Sequence, residues 1–146
     1  MIYLQKATKD DMDLIYRWAN DSAVREASFN TNHISYEEHQ AWYDKMMQDD
    51  NVLQFIMMDE DVAVGQIRLS VDGDEAEISY SIAAEYRGKG YARKMLELMR
   101  DEVCNNLTNI NTLVAKVKPE NSTSSKLFES EGYNLKYMYY TLGEIR

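Results

Sequence analysis

An α/β domain built on one mixed sheet is the architecture this sequence predicts, and three observations predict it. Short alternating segments, the pattern of half-buried strands, recur from Ile2 to Thr141 and are interleaved with segments whose apolar residues repeat at helical spacing. A glycine-spaced basic turn, Glu85-Tyr-Arg-Gly-Lys-Gly-Tyr-Ala-Arg-Lys-Met-Leu96, joins a strand pattern directly to a helix pattern. A length of 146 residues fits one domain, 1–146, large enough to bury a core.

The elements follow in order. Ile2 to Ala7 alternates as a strand, and Thr8 with Asp11 supplies a start signal for a helix through about Asn20, striped by Met12, Ile15, Tyr16 and Ala19. A polar stretch, Asp21 to His33, comes next. Ser35 and Glu38 form a capping box for a second helix through about Gln48, with Tyr36, Tyr43, Met46 and Met47 on one side. Leu53 to Met58 and Val62 to Ser70 read as strands turned by Asp59-Glu60-Asp61. Asp72-Gly73-Asp74 turns the chain again into a strand from Ala76 to Ala84, antiparallel to the last if that turn is a hairpin. Beyond the glycine turn lie a helix from about Gly90 to Cys104, a strand at Thr112 to Val117, a helix at Ser122 to Glu131 and a last strand across Leu135 to Thr141. The order βααβββαβαβ gives six strands and four helices, a mixed sheet covered on both faces.

Composition narrows the function. A formal charge of −9 argues against a nucleic-acid partner, because phosphate-backbone binding rests on basic patches. The positive charge is uneven, however: Arg87, Lys89, Arg93, Lys94, Lys116, Lys118 and Lys126 all fall in two short segments of the C-terminal half, the expected place for an anionic ligand. The one cysteine, Cys104, has no internal disulfide partner and is expected on the apolar side of its helix as a buried small hydrophobe, which suits a reducing cytoplasm. The first strand is too short and too soon interrupted by charge for a signal peptide, and no apolar run approaches spanning length, so no membrane partner is expected. His33 and His39 lack metal-ligand spacing, and Asp72 to Glu77 lacks that of a calcium loop, so no metal is expected.

The glycine turn carries the chemistry. Glycines at 88 and 90 let backbone amides approach a ligand without side chains in the way, at the positive end of a helix, so the turn reads as a phosphate cradle. A dinucleotide fingerprint fails, because Arg93 stands where the third glycine belongs, and a P-loop fails for want of Gly-Lys-Ser/Thr. Arg87-x-x-Gly90-x-Ala92 instead resembles the signature of the GCN5-related N-acetyltransferases. Downstream, Asn121, Ser124, Leu127, Phe128, Gly132 and Tyr133 resemble the second signature of that family, a strand followed by a helix that opens on asparagine and ends in glycine.

This resemblance implies a sheet of six to seven strands with about four helices, and acetyl-coenzyme A as cosubstrate. It implies that Arg87, Gly88, Lys89, Gly90, Tyr91 and Ala92 cradle the pyrophosphate and that the segment Ser81, Ile82, Ala83, continuing to Ala84, binds the pantetheine arm. An amide N–H near Ile82 is then the oxyanion donor, with Asn121, Ser124 and Phe128 beside the coenzyme. A lysine-like amine is neutral in only about one molecule in 2,500 at pH 7, so a base helps. Glu77 is the first candidate and His39 the next, with Tyr80 on the same strand as Glu77 but, if the strand is regular, on the opposite face. Many members use a tyrosine as acid where Phe128 stands here; Ser124, Ser125, Tyr133 or water remain to protonate a thiolate of pKa near 8.5.

Arg25, Ser28, Phe29, Asn30, His39 and Trp42 make an acceptor segment that resembles members acetylating nucleotide-linked amino-sugars of the pseudaminic and legionaminic acid type. Aromatic faces there could stack on a sugar or base, and Arg25 could pair with a diphosphate. Alternatively Trp18 and Trp42 join the two helices in a core, and Arg25 neutralises Asp21 or Glu26. The acceptor is expected to be a small-molecule primary amine, with a protein N-terminus or a polyamine as other classes and a non-catalytic coenzyme A-binding module as the reading outside enzymes. Only fourteen residues follow Gly132, so the family's C-terminal hairpin is short and leaves a sheet edge to be covered or paired, as in a homodimer.

Overall fold

A computed structural model describes residues 1–144. Its elements are β1 (Ile2–Lys6), α1 (Met12–Ala19), α2 (Ser22–Ala27), α3 (Tyr36–Met47), β2 (Val52–Asp59), β3 (Val62–Asp72), β4 (Glu75–Ile82), α4 (Tyr91–Asn106), β5 (Thr112–Ala115) and α5 (Ser122–Ser130), with 3-10 turns at Lys9–Asp11 and Ala84–Tyr86. The strands form one sheet in the order β1-β2-β3-β4-β5. The first three pairings are antiparallel and the fourth is parallel, so α4 serves as the crossover that a parallel pair requires. No described helix is long and apolar enough to cross a membrane, and no described group of three His, Cys, Asp or Glu is placed to hold a metal ion.

The two faces of the sheet differ. On one, Phe55, Met57, Ile67, Leu69, Ala76, Ile78 and Ile82 pack under Met95, Leu96, Met99 and Val103 of α4 and Phe128 of α5. On the other, Ile56 packs with Ala7, Ile15, Tyr43 and Met46 beneath α1 and α3, with Val52 and Met58 of β2 and Ala63 of β3 against them. Register places Gln66 opposite Ser81, Arg68 opposite Ser79 and Ser70 opposite Glu77 on that second face, so its β3–β4 half is polar. Gly65 lets α4 sit low on the first face: a Cβ there would stand 2.6 Å from the Ser81 carbonyl oxygen and 2.9 Å from the Met95 methyl.

Four expectations are corrected. The sheet has five strands rather than six or seven, because residues 135–141 form no strand and leave Leu135, Tyr137, Met138, Tyr139 and Tyr140 exposed. A four-residue β5 offers little edge against the cost of ordering each tail residue, about 1–2 kcal/mol of backbone entropy. The polar stretch after Asn20 contains α2, started by Asp21, whose carboxylate accepts from the amides of Ala23 and Val24, so the described residues form five α-helices rather than four. Cys104 is exposed, one step around the helix from the buried line of Leu96, Met99 and Val103. Finally, β4 stops at Ile82, which puts Ala83 beyond the strand and Ala84 in the 3-10 turn.

Candidate active site

The glycine turn is an open cup. Gly88 and Gly90 have φ of +76° and +85°, in the left-handed region that favours glycine, and nothing lies within 4 Å of a Cβ built on either. Gly90 is the N-cap of the 16-residue α4 and supplies no side-chain cap. The amides of Tyr91, Ala92 and Arg93 find no acceptor among the described residues; the first capture of the helix is Lys94 N–H on the Gly90 carbonyl. Unpaired donors at a helix N-terminus attract an anion, so these residues fit a coenzyme pyrophosphate.

Arg87 itself is otherwise engaged. Its Nε donates to the Ile82 carbonyl at 3.0 Å and its Nη2 to Asp21 Oδ1 at 2.8 Å. That hydrogen bond holds the Asp21 carboxyl below its usual range. Arg87 therefore ties the end of β4 to the start of α2, across a cleft of about 250 Å³ lined by Arg17, Trp18, Asp21, Ala83 and Glu85 among others. Lys89 lies over the Tyr86 ring, its Nζ 5.8 Å from the centroid.

Beside the cup the sheet opens. The β4–β5 ladder ends at Ile78–Ala115. Ala83 N–H donates to the Val64 carbonyl at 2.9 Å, and the alternation of an antiparallel ladder then turns the amides of Tyr80 and Ile82 away from β3, toward the gap. A ligand arm entering that gap meets backbone donors, the arrangement needed to polarise a carbonyl.

Side chains flank the gap on both faces. Tyr80 and Glu77 lie on opposite faces, in a strand whose pairing with β3 has no register shift. Tyr80 Oη and Ser124 Oγ are 2.7 Å apart, and the Tyr80 ring meets Phe128 edge-on at 5.8 Å. Phe128 is buried and meets Tyr133 at 5.0 Å. Asn121 caps α5, accepting from Ser124 N–H at 3.2 Å. Burial pushes the Tyr133 hydroxyl up to about 12 and raises that of Tyr80 against the Ser124 hydrogen bond, so neither is a ready acid. Across the sheet, Glu77 Oε1 pairs with Lys116 Nζ at 3.0 Å, and that carboxylate raises the pKa of the lysine.

The acceptor segment is built differently from the expectation. Among the described residues the Arg25 guanidinium pairs with the carboxylate of neither Asp21 nor Glu26. Its Nε donates to the Ala19 carbonyl at 2.7 Å, its Nη1 to the carbonyls of Asn30 and Asn32, and its Nη2 to Ser28 Oγ. Ser28 Oγ donates in turn to the Val24 carbonyl, and Asn30 Oδ1 accepts from Asn32 N–H. These three residues shape the loop, leaving Phe29 exposed at its tip. His39 is corrected too. It is 2% exposed, packed among Tyr16, Trp42 and Tyr43, and its Nε2 must donate to the Met12 carbonyl at 3.0 Å, so it is a core residue and not a reachable base. Trp42 keeps an exposed side, with the Arg68 guanidinium 5.1 Å from its ring centroid. Trp18 is partly buried against the smaller core and also lines the cleft.

The cations are not pooled at the cup. Lys116 is paired with Glu77, Arg93 with Glu131 at 3.5 Å, and Lys118 donates to the carbonyls of Glu26 and Ser28 at 2.7 and 3.0 Å. Lys118 thus clips the acceptor loop to the chain just past β5.

The pattern that defines the Acetyltransferase (GNAT) domain matches residues 2–134, through every element described above. The chain belongs to the GNAT acetyltransferase family. It is an acetyl-coenzyme A-dependent N-acetyltransferase. It is 24% identical over 138 residues to the protein named Acetyltransferase PseH from Campylobacter jejuni, a match spanning 92% of this chain and 86% of the relative. A protein from Bacillus licheniformis named as an uncharacterized N-acetyltransferase, p20, is 32% identical over 83 residues, covering 55% of this chain and 46% of the other. Among solved structures, the spermidine N-acetyltransferase from Vibrio cholerae in complex with coenzyme A and spermine superposes with a TM-score of 0.82 at 24% identity, covering 90% of this chain and 79% of that one. The aminoglycoside acetyltransferase AAC(6')-Ib in complex with coenzyme A gives 0.80 at 18% identity, covering 93% and 86%.

Two side chains near these elements carried no expectation of their own, Arg68 against Trp42 and Lys118 as a clip. Arg68 was signalled by strand parity, which puts Gln66, Arg68 and Ser70 on one face. No local signal marks the partners of Lys118, which lie about ninety residues away.

Proposed function

We propose that this enzyme acetylates the primary amine of a small molecule, with nucleotide-linked amino-sugars as the favoured acceptor class. The observation that carries the reading is the continuity of three features: free amides at the start of α4, the sheet opening after Ile78–Ala115, and Glu77 on the polar face beside that opening. In this reading Gly88, Gly90, Tyr91 and Ala92 hold the pyrophosphate through backbone donors, and Ile82 to Ala84 guide the pantetheine arm. The coenzyme supplies the activated acetyl thioester. The Ile82 amide donates to the carbonyl oxygen as negative charge develops there. Glu77 takes the proton of the acceptor ammonium, directly or through water, once that ammonium displaces Lys116 from the carboxylate. Tyr80 and Tyr133 hold their protons too tightly to serve a thiolate of pKa near 8.5, so solvent protonates it.

The amino-sugar class is supported by the resemblance of the acceptor segment to members acting on nucleotide-linked amino-sugars, and the match to Acetyltransferase PseH runs through that same segment. Phe29 and Trp42 offer exposed aromatic surface in that segment. A polyamine is the second reading, favoured by the charge of −9 and by the likeness to a spermidine N-acetyltransferase.

A thiol-release assay with acetyl-coenzyme A and a panel of nucleotide-linked amino-sugars, free amino-sugars, polyamines and basic N-terminal peptides tests the proposal. The highest kcat/KM is expected with a nucleotide-linked amino-sugar. Preference for spermidine or for a peptide would overturn the acceptor class.

A further inference from the structure

Among the described residues two arginines are half-buried, Arg25 and Arg68. Arg25 spends its donors on three carbonyls and a hydroxyl. Arg68 has no hydrogen-bond or ion-pair partner among the described residues, although a guanidinium carries five N–H donors and is costly to bury unpaired. Its Cζ lies 5.1 Å from the Trp42 ring centroid, a contact that takes up none of these donors in a hydrogen bond to oxygen and leaves them for the two-pronged contact a guanidinium makes with an oxyanion.

The surroundings are equally incomplete. Register flanks Arg68 with Gln54 on β2 and Ser79 on β4. Gln54 Oε1 is buried with no donor among the described residues. The carboxylate whose charge bears on Arg68 is that of Glu77, and it is already paired with Lys116 at 3.0 Å. An anion of outside origin completes these surroundings.

We propose that Arg68 binds an oxyanion carried by the acceptor, so that the substrate is an amine bearing a phosphate or a carboxylate rather than a polycation. The proposal rests on the reading above in which Glu77 faces the acceptor amine. Arg68 pairs with Ser79, two residues from Glu77, and such diagonal neighbours stand roughly 7–8 Å apart. Amine and oxyanion are therefore separated by about one sugar ring. Of the amines considered for this fold, an amino-sugar linked to phosphate meets that spacing and spermidine carries no oxyanion at all.

Calorimetry on the coenzyme A-saturated enzyme tests this without turnover, because the cradle is then filled. Glucosamine 6-phosphate, an amino-sugar carboxylic acid, glucosamine and spermidine are titrated in turn, the first two distinguishing phosphate from carboxylate. The charged sugars are expected to bind at least tenfold more tightly than glucosamine, and Arg68→Met to abolish that advantage while leaving coenzyme affinity unchanged. Arg68→Lys, which keeps the charge without the fork, is expected to recover part of it, and serves if the methionine variant does not fold. Equal binding of charged and uncharged sugars, or tighter binding of spermidine, overturns the proposal. An Arg68-dependent preference together with no turnover of nucleotide-linked amino-sugars would sink the acceptor class above and leave the role of Arg68 standing; turnover of them unchanged by Arg68→Met would do the reverse.

Discussion

The glycine cradle and the acceptor loop make opposite use of polar groups. In the cradle, the side chains step aside and backbone donors are left unspent at the start of α4. In the loop between α2 and α3, side chains are consumed by the backbone: Arg25, Ser28 and Asn30 make six hydrogen bonds within residues 19–32. A segment without regular structure must find donors for its carbonyls, and polar residues packed into it are first of all that supply. Composition alone does not reveal a site; what matters is which donors remain after the local accounting, and on that measure the spare groups are the cradle amides, the Tyr80 and Ile82 amides that face the gap, and Arg68.

The sharpest test of the acceptor side is Glu77→Gln. Removing a general base typically costs about 10²–10⁴ in rate, and turnover should fall by roughly 100-fold at neutral pH with coenzyme affinity kept. The deficit should shrink at alkaline pH, where the acceptor loses its proton unaided; a deficit that does not vary with pH would remove Glu77 from the base role.

On the cradle side, Gly90→Val places a branched side chain at φ +85°, a strain of roughly 1–3 kcal/mol, and intrudes where the amides converge. Calorimetry should show coenzyme A affinity reduced roughly 100-fold, about 2.7 kcal/mol. Circular dichroism should show the fold retained, and unchanged affinity would mean that the cup is not the phosphate site.

Arg25→Ala separates shaping from contact. Hydrogen bonds to a charged group are worth roughly 1.5–3 kcal/mol each when buried, less here, so the loop should loosen while the rest of the chain stays folded. Amide exchange should accelerate at residues 28–34 and the acceptor KM should rise about tenfold with coenzyme KM unchanged. A raised KM with unaltered exchange would instead make Arg25 a direct ligand.

The smallest effect belongs to the tie between the two regions. Asp21 is held below its ordinary value of 3.8 by Arg87, so the pair stabilises the fold above that value and the contribution fades as pH falls through the lower folded value. Both side chains remain partly solvated, which limits the pair to roughly 1 kcal/mol or less. Asp21→Asn should flatten that part of the acid-unfolding curve; an unchanged slope below pH 4 would show the pair to be energetically silent.

Much of this was legible in the chain. The strands from Ile2 to Ile82 follow their alternation, and the cradle follows from two glycines at the start of a helix. Strand 135–141 was misread because alternation describes a segment that could pair, whereas pairing needs an edge long enough to receive it. Helix α2 was missed because six residues carry no stripe, although Asp21 is an N-cap of the ordinary kind. The partners of Arg87, Lys116 and Lys118 were beyond reach, since an ion pair between distant segments leaves no local trace, and five of the cations expected to face a phosphate turn out to be committed elsewhere or stacked on a ring.

The Lys118 clip also sets a timetable. The ammonium that fixes Glu26 and Ser28 is made 92 residues after the first of them, and a ribosome adding about 5–20 residues per second needs on the order of 5–18 s to cover that stretch. Helices α1 to α3 and the first two strands exist as polymer well before the loop between α2 and α3 can be fastened. In the newborn chain the contacts of Lys118 with Glu26 and Ser28 are therefore made only after the hydrogen bonds of Arg25, Ser28 and Asn30 within residues 19–32 have become available, as a late fastening of a loop already shaped from within.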